Sequence, residues 1–73
     1  MDKLNVGALI LEKTSLINRP PNVGIVIDRY DLSGYEYVEI YWCETKKTTR
    51  HSDLEVGWYL IGGELALWTI INE

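Results

Sequence analysis

The sequence predicts an all-β fold: a small barrel or strongly curled sheet of five to six short antiparallel strands, ending in a Gly-Gly hairpin. Three observations predict it. From Tyr35 to Cys43 the chain alternates with a period of two, Val38, Ile40 and Trp42 on one face and Tyr37, Glu39 and Tyr41 on the other. Turn residues bracket that run, Leu32-Ser33-Gly34 before it and Glu44-Thr45-Lys46-Lys47 after it. The chain has 73 residues, one domain's worth, and a domain this short buries only about 60% of its unfolded surface.

The elements follow in order. Val6 to Glu12 is the first strand, its apolar run too short for a helix and opened by Gly7. Thr14 to Asn22 is a loop, because Pro20 and Pro21 lack the amide donors of a central strand; Leu16 and Ile17 pin it to the core. Gly24 to Asp31 is the second strand, Tyr35 to Cys43 the third, and Thr48 to His51 a short fourth. Ser52-Asp53-Leu54-Glu55 has capping-box spacing, and one turn of 3₁₀ type is expected there. Gly62-Gly63 supplies the positive φ angles of a two-residue hairpin. That pairing sets Val56, Trp58, Leu60, Leu65 and Leu67 on one face and Tyr59, Ile61, Ala66, Trp68 and Ile70 on the other. Both faces are apolar, and a single small barrel covers only one.

Composition narrows the function classes. The net charge is −4, from 11 acidic and 7 basic residues, which weakens attraction to phosphate backbones and anionic lipid. A single cysteine, Cys43, cannot form an internal disulfide, and the first residues have no apolar signal region; both favour an intracellular, reducing setting over secretion. No apolar run approaches the ~20 residues of a membrane span. Five Tyr and three Trp with no Phe suit half-exposed faces and interfaces.

The candidate chemistry is sparse. Cys43, His51, Asp53 and Glu44 fall around one turn, but one Cys and one His are too few for zinc. Cys43 and His51 facing each other across the third hairpin would pair a nucleophile with a base, without a third orienting group. The expectation is therefore no catalytic, cofactor or metal site. Tyr30, Tyr35, Tyr37 and Trp58 beside Glu36 or Glu39 have the makings of an aromatic cage, without diagnostic spacing. Lys46, Lys47 and Arg50, with Tyr37 and Tyr41 as a stacking platform, form the one nucleic-acid surface the sequence offers. It is a basic tip on an acidic body, so nucleic acid ranks second. Protein contact ranks first. Tyr59, Ile61, Trp68 and Ile70 form the expected interface, with Trp68 as anchor of a homo-oligomer or as the seat of another protein.

The pattern Val6-Gly7-Ala8-Leu9-Ile10, Gly24-Ile25-Val26, Val38-Glu39-Ile40-Tyr41-Trp42, Thr48-Thr49 and Asp53-Leu54-Glu55 resembles the small SH3-like barrel proteins of tailed phages, cyanophages in particular. The likeness spans roughly residues 6 to 56. Ala8 departs from it, standing where many such barrels have an acid, as do the residues after Glu55. It implies an SH3-like barrel and a phage-encoded chain, and no activity, since fold alone licenses none. The expectation from sequence is a non-enzymatic interaction or self-assembly module.

Overall fold

The computed structural model of the protein describes residues 4–13, 22–62 and 66–72. Alternation and turn chemistry produce five antiparallel strands: β1 (Leu9–Glu12), β2 (Asn22–Leu32), β3 (Tyr35–Trp42), β4 (Lys47–Ser52) and β5 (Trp68–Ile70). They form one open sheet in the order β4-β3-β2-β1-β5, with a helix, α1 (Asp53–Leu60), between β4 and β5. The 14–21 part of the predicted loop, with Leu16 and Ile17, lies outside the described residues, as do Gly63, Glu64 and Leu65.

The period-two reading of β3 holds. Val38, Ile40 and Trp42 are buried and join Leu4, Ile10, Val26, Val56 and Trp68 in one core. Gly24 makes room for Trp42, its strand partner: a Cβ there would lie 2.7 Å from both Ile40 Cγ2 and Trp42 Cε3. Trp42 Nε1–H in turn donates to Thr49 Oγ1 at 2.7 Å, tying the indole to β4.

A β-bulge at Ile27 resets the second half of β2. Val26 pairs with Ile40, but Asp28 then pairs with Glu39 and Arg29 with Val38. The extra residue moves Arg29 to the inner face, as bulges re-aim side chains. Its guanidinium donates to the Leu4 carbonyl (2.8 Å), to Glu36 (3.2 Å) and to Asp53 at the start of α1.

Two expectations after β4 are corrected. Residues 53–60 form an α-helix, where one 3₁₀ turn and then the first arm of a hairpin were expected. Ser52 caps it, its Oγ accepting the Glu55 amide at 3.1 Å, and Asp53 and Glu55 in the first turn suit the helix dipole. Val56, Tyr59 and Leu60, spaced as one helical face, turn to the core, and that burial outweighs the poor helix propensity of Gly57. The second correction follows. With no arm at 56–61, the predicted hairpin faces do not exist, and Ala66 and Trp68 point into the core.

Candidate interaction surface

The region where α1 meets β4 and β5 is held by two polar devices. One is a hydrogen-bonded chain along its inner side. Trp42 Nε1–H donates to Thr49 Oγ1, Thr49 Oγ1 lies 2.7 Å from His51 Nε2, His51 Nδ1 lies 2.8 Å from Glu55 Oε2, and Tyr59 O–H donates to the same Glu55 oxygen at 2.8 Å. The Thr49 hydroxyl, which accepts from Trp42, can either accept from or donate to Nε2, while Nδ1 faces the Glu55 carboxylate. The Glu55 carboxyl is pushed up by burial, yet hydrogen bonds from His51 and Tyr59, the His51 charge and the Ser52 amide outweigh that and hold it below its ordinary value. The same contact raises the Tyr59 phenol, the Glu55 hydrogen bond first and burial second. The other device is Arg29, gripping Asp53 at the helix start.

Hydroxyl, imidazole and carboxylate stand here in the order of a nucleophilic triad. The Thr49 oxygen is nevertheless engaged by the Trp42 indole, and the imidazole ring is packed edge-on against Trp68 (4.9 Å between centroids) and Tyr59 (6.1 Å). The chain fixes α1 on β4.

With its inner side fixed, α1 presents its other side to water. Leu54, Trp58 and Ile61 at the helix end are 78%, 72% and 64% exposed. Their spacing, i, i+4 and i+7, makes them one stripe. Gly57 borders it, and a Cβ there would meet nothing within 4 Å. The stripe begins at an open groove of about 400 Å³ lined by Asp31, Tyr35, Glu36, Ser52, Asp53 and Leu54.

The residues predicted as an interface are dispersed. Trp68 is 3% exposed, packed against Trp42 and Tyr59 with Nε1–H toward Glu12 at 3.3 Å. Its expected role as an exposed anchor is thereby corrected: the core takes it. Tyr59 and Ile70 are half-buried against the core, and Ile61 is exposed. The exposed tryptophan is Trp58, which the sequence reading set on the opposite hairpin face. The signal that finds it is the capping box itself: once Ser52 starts a helix, Val56, Tyr59 and Leu60 fall on one side and Leu54, Trp58 and Ile61 on the other.

The predicted nucleic-acid residues are partly brought together. Tyr37, Tyr41 and Arg50 share the outer face of β3 and β4, the Arg50 guanidinium 5.1 Å above the Tyr37 ring. Glu39 sits among them, opposite both Asp28 and Arg50, and accepts from Tyr30 O–H at 3.0 Å. Lys46 lies in the β3–β4 turn and Lys47 opens β4. Tyr30 and Tyr37 are neighbours on that face (6.1 Å), whereas Trp58 stands on α1 and Tyr35 beside the groove, so the four do not form a cage. Cys43 and His51 do not face each other, since His51 pairs with Val38 and Cys43 lies past the Trp42–Lys47 pair. Among the described residues no group of three or more His, Cys, Asp or Glu is placed to share a metal ion, and no helix is long and apolar enough to cross a membrane. The chain matches no family model, no curated protein and no solved structure.

Proposed function

We propose that this chain is a non-enzymatic protein-interaction module that works through the outer side of α1. One observation carries the reading: Leu54, Trp58 and Ile61 stand in water on a helix whose inner side is clamped in place. Together they leave roughly 400 Å² of apolar surface exposed, on the scale of about 150–250 Å² per large side chain. Patches of that size on a small domain are often functional. Covering it would contribute on the order of 10 kcal/mol of gross transfer energy, of the same order as the cost of association. The basic tip competes poorly, because Glu39 and Asp28 interrupt the tyrosine face and Arg50 covers Tyr37.

The reading includes an SH3-like barrel of the type found in the tailed-phage proteins that the sequence resembles. Its support is connectivity: β1 to β4 form an antiparallel meander, β5 returns to β1, and the break between β4 and β5 is helical. Photo-crosslinking in the cell that makes the protein tests the interaction. A benzophenone amino acid at position 58 or 54 should give polypeptide adducts of defined mass, and the same group at Thr48 should not. No adduct from either helix position would refute the reading.

A further inference from the structure

Gly57 is the odd residue of α1. Glycine in a helix interior is destabilising relative to alanine. Within this chain nothing requires it, since its φ is not in the left-handed region and a Cβ would project into open space. Yet it borders the Leu54–Trp58–Ile61 stripe, one turn from Leu54. A missing side chain beside an apolar stripe lets another backbone come close. Two independent features, exposed apolar groups and an unexplained glycine, therefore lie on the same side of one helix.

We infer that the occupant of this surface is a second copy of the chain, docked α1 against α1 about a two-fold axis near Gly57 and Trp58. This rests on the interaction reading above and names its partner. The stripe is self-complementary under such an axis, with Leu54 of each copy meeting Ile61 of the other. Roughly 400 Å² per copy makes the apolar core of a standard interface of about 800 Å² per partner, and Tyr35 at the groove and the polar rim supply the rest. On α1 itself charge does not oppose it. Asp53 is engaged by Arg29, and Glu55 by His51 and Tyr59, so neither carboxylate projects unpaired toward the axis.

Sedimentation equilibrium on the purified chain from about 1 to 100 μM tests it. The wild type should be a dimer with a dissociation constant below about 10 μM, as a standard interface gives. Trp58→Glu, and separately Leu54→Glu, should weaken it at least about 100-fold while leaving the melting temperature close to wild type at concentrations low enough for both to be monomeric. Gly57→Ala separates the two helices' needs. It should raise the melting temperature of the isolated fold by roughly 4–8 °C, through helix propensity in open space. It should also weaken dimerisation at least about 10-fold, because the methyl blocks the close approach. A wild type that stays monomeric at 100 μM overturns the second-copy assignment. So does a dimer indifferent to both glutamate variants, or one that Gly57→Ala leaves unweakened. If the chain is monomeric but position 58 still crosslinks to other polypeptides, the inference fails and the interaction reading stands; if neither occurs, both fail.

Discussion

Replacing Gly24 by alanine adds one methyl group at the most crowded point of the sheet. Its Cβ would stand 2.7 Å from Ile40 Cγ2, 2.7 Å from Trp42 Cε3 and 2.8 Å from Trp42 Cζ3. Carbon atoms rest at about 3.5–4.0 Å, so three atoms must retreat by close to an ångström. None is free to do so. Ile40 is fully buried, and Trp42 is held by its hydrogen bond to Thr49 and its edge contact with Trp68. The backbone cannot yield either, because Gly24 is paired with Ile10 on one side and Trp42 on the other. Overpacking typically costs about 1–3 kcal/mol, and this site calls for the upper end, about 3 kcal/mol. For a domain of this size that is a fall of roughly 12–24 °C in melting temperature. Urea titration followed by tryptophan fluorescence should show a lower midpoint at unchanged slope. The same change at Gly57, where the methyl meets nothing, should stabilise the fold. An alanine at position 24 that melts within about 0.5 kcal/mol of wild type would refute the packing argument, since that is the range of an inert surface substitution.

Two further outcomes follow from the clamps on α1. Arg29→Met should destabilise by about 1.5–2 kcal/mol, the low end for charged hydrogen bonds because Glu36 remains partly hydrated; calorimetry showing no loss would mean that the clamp is idle. Glu55 is held below its ordinary carboxyl value in the fold, so its contribution is fully present above about pH 4.5 and is lost as pH falls through the lowered value. The stability gap between wild type and Glu55→Gln should therefore shrink as pH falls below about 4.5; a gap that stays constant down to pH 3 would contradict the assignment.

The strands were legible because each carries its own evidence. Val38, Ile40 and Trp42 alternate with polar or half-polar neighbours, and the turns on either side are marked by Gly34 and by the Glu44–Lys47 run. The segment after Ser52 was not legible in the same way. It is apolar under either periodicity: read in twos it makes a hairpin with two greasy faces, and read in threes and fours it makes a helix with two greasy sides. Gly57, a poor helix former, favours strand in this segment, and the Ser52–Glu55 capping box favours helix. The candidate surface was misplaced with it, and Trp58 and Trp68 exchanged roles.

By itself the sequence determined a small antiparallel sheet, the inward face of its best strand and a surplus of apolar side chains near the C-terminus. These are local matters, settled by side-chain alternation and by turn residues within a few positions. Tertiary structure decided which tryptophan the core would take. Trp68 finds Trp42, His51 and Tyr59 around it and Glu12 for its indole N–H, partners far apart in the chain that only β1–β5 pairing and the α1–β4 clamp bring together. Trp58, nearer those partners in sequence, is turned away because Val56, Tyr59 and Leu60 occupy the inner side of the same helix. A helix has one side to give to a core this small, and Leu54, Trp58 and Ile61 on the other side are left in water.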